Sequence, residues 1–200
     1  MASSVVIGEH IEAPYRGLRM SADEFLEIPD DGYNYELIGG VVIMSPLPSP
    51  QHHAITTELL LQIAMFLRTN PTGRVFGELD VHIGQGPTGG DLVYKPELIF
   101  VRNERLPDMR DKIFGAPELV VEVISRGSRR MDSETKKNDY ERFGVQEYWL
   151  IDPERESMIF WRLSDGRFVE VDTAGDAFAS EAVPGFVLDL ARVRELFKPW

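Results

Sequence analysis

The chain has 200 residues, 43% hydrophobic and 27% charged, the composition of one ordinary globular domain. It has no cysteine, which excludes a disulfide framework, a thiolate zinc site, an iron–sulfur cluster and a cysteine nucleophile. Its net charge of −12 argues against non-specific nucleic-acid binding, which needs cations facing phosphates.

The charge is unevenly spread. Residues 95–142 carry 11 Lys/Arg against 10 Asp/Glu, so the acidic excess lies elsewhere. Either an acidic surface aids solubility, or the middle segment faces an anion. The longest apolar run, Leu59–Leu67, is broken by Gln62 and falls far short of the roughly 20 residues of a membrane span. Glu9 and Glu12 stand where a signal peptide wants a basic and then an apolar stretch. A soluble, cytoplasmic protein is expected.

Residues 1–20 read as a poorly ordered extension, strand-like only at Val5–Ile7, and 21–200 as a single domain. Ser21-Ala-Asp-Glu24 is a capping box that opens a short helix to about Ile28. Tyr35–Ile38 and Val41–Met44, joined by Gly39-Gly40, predict a hairpin. Ser45–Pro50 holds three prolines and is a loop. Ser49 then caps a helix with Pro50 at its first position. That helix runs to about Arg68, with Ile55, Leu59, Ile63 and Phe66 on one face. Arg74–Ile83 and Leu92–Val101 read as strands around a glycine-rich loop at 84–90. Arg102–Gly115 reads as a charged, irregular loop with room for one helical turn.

Leu119–Ile124 is a β-branched run, the mark of a strand buried on both faces. Asp132–Phe143 is helical and stops at Gly144. Tyr148–Ile151, Met158–Leu163 and Phe168–Val171 are three more strands, and a short helix spans Asp189 to about Phe197. This order indicates an α/β fold with a mixed sheet flanked by helices.

Four features could carry chemistry. Glu97 lies in the expected strand Pro96–Phe100, and Glu122 lies inside Leu119–Ile124. A carboxylate among apolar strand residues is costly to bury unless it is paired or binds a metal. A salt bridge to a buried Arg or Lys is the alternative. Alternation puts Glu122 on the face of Val120 and Ile124, opposite Val121 and Val123. On the following helix, Asp132, Lys136 and Tyr140 share one side. That helix must pack back on the sheet, which would bring Lys136 near the acids. Finally, Glu36 sits in an apolar strand, and His52-His53 begin the next helix. No dinucleotide fingerprint, Walker loop, nucleophile elbow or metalloprotease spacing is present.

Together these residues resemble the PD-(D/E)XK nuclease superfamily, the restriction-endonuclease-like fold, and within it the Uma-type bacterial branch. The matching segments are Tyr35–Gly40, Met44-Ser-Pro46 with His53, Pro96–Val101, Gly115–Ser125, Asp132-x3-Lys136-x3-Tyr140 and Gly144–Asp152. The resemblance covers roughly residues 21–197. It implies a Mg²⁺- or Mn²⁺-dependent endonuclease acting on DNA. Glu97, Glu122 and the Val123 carbonyl would bind the metal. Lys136 would orient water and stabilise phosphoryl charge, with Lys137 as the fallback. Glu36 would support a second metal or the water. Ser125, Arg126, Arg129 and Arg130, with His53, would meet DNA.

Two departures stand out. The branch's usual Pro-Asp is Pro96-Glu97 here, one methylene longer. The superfamily's lysine position, two residues after the second acid, is Ile124. A nuclease fold that binds nucleic acid or protein without cutting is therefore the alternative function. A homodimer is expected from the need to cut two strands and from the aromatic C-terminal strands: Tyr148, Trp149, Phe160, Trp161 and Phe168. Lys136→Ala is expected to remove cleavage and leave melting nearly unchanged.

Overall fold

A computed structural model describes residues 13–109, 113–173 and 175–198. The expected extension at 1–20 falls mostly outside them. Its described end is tied down, since Leu18 O accepts from Val42 N at 2.9 Å.

Helix α1 (Ala22–Phe25) is opened by the Ser21/Glu24 capping box. Strands β1 (Tyr35–Ile38) and β2 (Val41–Met44) form the antiparallel hairpin. Helix α2 (Pro50–Thr69) begins at the Ser49 cap with Pro50 in its first turn. Then come β3 (Gly73–Gly77), β4 (Val81–Gln85), β5 (Asp91–Tyr94), β6 (Leu98–Arg102), β7 (Ile113–Phe114) and β8 (Leu119–Val123). A π turn, Met131–Lys136, leads into α3 (Lys137–Phe143), closed by Gly144 at φ 86°. Strands β9 (Glu147–Asp152), β10 (Ser157–Ser164) and β11 (Arg167–Glu170) follow. The chain ends in β12 (Ala177–Ala179), β13 (Val187–Asp189) and α4 (Leu190–Glu195).

The strands form two main sheets. A six-stranded mixed sheet runs β11-β10-β9-β8-β6-β3, and a five-stranded one runs β2-β1-β5-β4-β7. In the larger sheet β8 and β9 are parallel and β6 is antiparallel to β8. Alternation divides the large sheet between two cores. Leu119, Val121, Val123, Trp149 and Ile151 meet Ile55, Leu59 and Ile63 of α2. Val120, Ile124, Tyr148 and Leu150 meet the smaller sheet and Tyr140 of α3.

Three expectations need correction. Arg74–Ile83 is not one strand. It splits at Glu78, whose φ of 48° turns the chain, and β3 and β4 then join different sheets. Leu92–Val101 also splits, into β5 and β6. Pro96 has no N–H to extend a ladder, so Glu97 lies just before β6 rather than inside a strand. The aromatic residues of the C-terminal strands do not form an outer surface. Tyr148, Trp149, Phe160 and Trp161 are buried in the chain's own two cores, and Phe168 is half-buried.

Candidate active site

The site forms where β8 ends and where α2 and the π turn begin. Register pairs Leu98 of β6 with Val121 of β8, so one step further Glu97 comes opposite Glu122. Both line a cavity of about 190 Å³ with Glu36, His52, Asp132 and Lys136. The three acids Glu36, Glu97 and Glu122 and the lysine expected from the sequence thus share one wall, and Asp132 joins them.

Lys136 is the centre of the cluster. Its Nζ lies 2.8 Å from Glu36 Oε1, 2.9 Å from Glu122 Oε1 and 3.6 Å from Asp132 Oδ1. It is 4% exposed. The hydroxyl of Tyr140 also donates to Glu122 Oε1, at 2.9 Å. Glu36 is fixed from its other side by the backbone N–H of Lys95, at 2.9 Å. The π turn helps this alignment. In a straight α-helix, positions eight apart drift by about 80°, and a wider turn rotates the other way. Asp132, Lys136 and Tyr140 are all buried.

Lys137 takes no part in the cluster. It lies over the Trp161 ring, 5.1 Å from its centroid, so the lysine that meets the acids is Lys136.

Burial and charge pull the site in opposite directions. Burial pushes the Glu122 carboxyl up to about 8, against the attraction of Lys136, and the neighbouring Asp132, Glu36 and Glu97 push it further. Asp132 is raised for the same first reason, burial. Burial would lower Lys136, but the charges of Glu122, Glu36 and Asp132 outweigh it, and the ammonium is held well above its ordinary value. Lys136 is therefore a cation here and not a general base.

His52 completes the cavity. Its Nε2 lies 2.8 Å from the Val123 carbonyl oxygen and 3.0 Å from Glu97 Oε1. Burial lowers its proton affinity, yet the bond and charge of Glu97 more than offset this, and the net shift is upward. The sequence offers His52-His53 as a pair, and the resemblance singles out His53 for DNA contact. The structure puts His53 on the exposed side of α2, edge-on to the His52 ring. The signal was available, because His52 falls three residues before Ile55 and so extends the buried stripe Ile55, Leu59, Ile63. Asp132 was also passed over as a site residue, although it lies four residues from Lys136.

The expected DNA-facing residues divide. Ser125 lines the cavity. Arg129 is committed to ion pairs with Asp152 and Glu154. Arg126 and Arg130 are exposed, with loose pairings to Glu154 at 3.9 Å and Glu134 at 3.3 Å.

Among the described residues, no group of three or more His, Asp or Glu side chains is gathered as a metal cage. Lys136 and His52 stand between the acids and hold them. The donors nevertheless suit a hard divalent cation, which prefers carboxylate and carbonyl oxygens. Glu97, Glu122 and the Val123 carbonyl supply them. Five carboxyl groups, of Glu36, Glu78, Glu97, Glu122 and Asp132, line the cavity with two lysines, Lys95 and Lys136, which leaves negative charge for a bound cation to balance.

This mixed sheet, with the acid–lysine cluster at its end, defines a nuclease-like α/β protein. The crystal structure, at 1.96 Å, of a "putative nuclease belonging to DUF820" from Anabaena variabilis ATCC 29413 superposes on it with a TM-score of 0.75. The two share 21% identity over 90% of this chain and 99% of the other, which establishes the likeness of fold. The sequence profile of the Uma2 family, described as "Putative restriction endonuclease", matches residues 22–191, and the chain belongs to that family. No curated protein matches it. Among the described residues no helix is long and apolar enough to cross a membrane.

Proposed function

We propose that the chain is a metal-dependent endonuclease that hydrolyses phosphodiester bonds of DNA in the cytoplasm, with residues 21–200 acting as one domain. The observation that carries this reading is Lys136, held between Glu36 and Glu122 on the wall that also bears Glu97. Glu97, Glu122 and the Val123 carbonyl would hold Mg²⁺ or Mn²⁺. When bound, such an ion polarises a phosphoryl oxygen and lowers the pKa of a coordinated water.

The side chains do the rest. Lys136, kept protonated, orients the attacking water and neutralises charge that develops on the phosphoryl oxygens. Glu36 and Asp132 fix its ammonium. Ser125, Arg126 and Arg130 meet the flanking phosphates, and His53 is a further candidate for DNA contact. Cutting both strands calls for two sites, and a two-fold homodimer is the simplest way to supply them. Light scattering at a monomer mass would contradict the dimer.

A second reading is supported by His52. Its ring occupies Glu97 and the Val123 carbonyl, so the fold could bind nucleic acid or protein without cutting. Incubating supercoiled and linear DNA with the protein and Mn²⁺ separates the two. Nicking by the wild type, abolished by chelator and by Glu122→Gln, supports the enzyme. Metal-dependent DNA binding without nicking supports the second reading. Neither binding nor nicking removes DNA as the substrate.

A further inference from the structure

The loop between β2 and α2 has an unusual pattern, Ser45-Pro-Leu-Pro-Ser-Pro50. Every second residue is proline, and a residue before proline is itself confined to extended backbone. The whole segment is therefore stiff, with φ fixed at each proline. Both ends are pinned. Ser45 N donates to Asn34 O at 2.8 Å, and the Ser49 side chain accepts from His52 N at 3.2 Å as the cap of α2.

Pro46 and Pro48 line the active-site cavity. Leu47, between them, does not line it. It points outward and is 82% exposed. Ile43 and Met44, just before the strut, also line the cavity and are partly open to solvent. A leucine held out by a stiff backbone at the mouth of a charged cavity has no partner within the described residues that explains it.

We propose that Leu47 is a wedge that enters a base step of duplex DNA seated at the cavity, so that cutting takes place beside a step the protein has unstacked. This rests on the endonuclease reading above. Two observations favour DNA as the occupant. The exposed apolar surface is small: Leu47 stands out, and Ile43 and Met44 are only 37% and 36% exposed. A stable protein interface needs about 800 Å² per partner, whereas an apolar side chain inserted between base pairs fills one step and kinks the duplex. The segment that leads from β8 into the π turn, 124–130, presents the exposed Arg126 and Arg130, which suit a polyanion. Stiffness also matters, because a wedge that is already ordered loses little freedom when it inserts.

The test uses the full chain with Ca²⁺ in place of Mg²⁺ and short duplexes carrying 2-aminopurine at successive positions. The wild type is expected to raise fluorescence at one step, the sign of unstacking. Leu47→Ser should lose that rise, and Leu47→Phe should keep it. Because Leu47 touches no phosphate, Leu47→Ser should leave the salt dependence of binding unchanged. An unchanged melting temperature shows that this exposed variant is folded. Binding without any rise, or a rise that persists in Leu47→Ser, overturns the wedge and leaves the endonuclease reading standing. A wild type that neither binds nor cuts duplex DNA overturns both.

Discussion

Lys136 Nζ and Glu122 Oε1 meet at 2.9 Å, one from the helix side and one from the central sheet, and both side chains are buried. This contact is structural as well as chemical. Removing one member of a buried ion pair leaves an uncompensated charge, which costs about 3–5 kcal/mol. The burial therefore revises the expectation that Lys136→Ala leaves melting unchanged. Denaturant unfolding above pH 8, where Glu122 is ionised, should show a loss of that order. The loss should shrink as pH falls, because Glu122 and Asp132, both raised, can then take up protons. A loss independent of pH would contradict the pairing. Lys137→Ala removes its contacts over the Trp161 and Phe168 rings and should cost about 0.5–1 kcal/mol.

Metal binding should report on Glu122. An ion needs the carboxylate, so it competes with the proton. With the carboxyl pushed up to about 8, Mn²⁺ affinity should rise as pH increases toward and through that value. Glu122→Gln and Glu97→Gln should abolish the metal-induced rise in Tm that binding to the folded state produces. Calorimetric titration at several pH values checks this; flat affinity across the range would exclude Glu122 as a ligand.

The His52–Glu97 pair gives a separate pH signature. The folded His52 is raised above 6.5. A base raised on folding contributes stability that is fully present below its unfolded value and is lost as pH rises through its folded value. The stability difference between wild type and Glu97→Gln should therefore be largest below pH 6.5 and fade above it. Proton-detected titration of the imidazole should show the His52 value fall in Glu97→Gln. No movement would mean that the contact at 3.0 Å is not made in solution.

Tyr140→Phe tests the other hydrogen bond to Glu122. Hydrogen bonds to charged groups contribute about 1.5–3 kcal/mol, and the tyrosine is fully enclosed. Chemical denaturation should register a loss within that range. Because the ring remains, packing against Tyr94 and Tyr148 should be retained.

Local patterns made much of this legible. Glu122 was placed on the correct face because a strand alternates, and α2 was bounded by a serine cap and a proline. The Asp132–Lys136–Tyr140 stripe follows from helical spacing. The breaks at Glu78 and at Lys95-Pro96-Glu97 were harder, because apolar residues continue on both sides and only pairing with distant strands separates them. The burial of the aromatic strands is hard to read from the sequence for a related reason. Composition shows that Trp149 and Phe160 must be covered, but not that α2 and Phe178 cover them. The sequence offers His52-His53 as a pair, and the buried stripe of α2, which includes position 52, is what separates the two.

The two halves of the cluster sit in parts of the molecule that should open at different rates. Glu122 belongs to β8, which is hydrogen-bonded on both edges, by β6 and β9, and covered on both faces. Lys136 arrives on a π turn followed by a helix of only seven residues. Amide exchange should therefore be fast in that segment and slowest in β8. An opening confined to the helix would carry the ammonium away and strand the acids in the sheet. Such an opening must be accompanied by proton uptake, so a local fluctuation of this molecule is also a titration event, and its frequency should increase as the solution becomes more acidic.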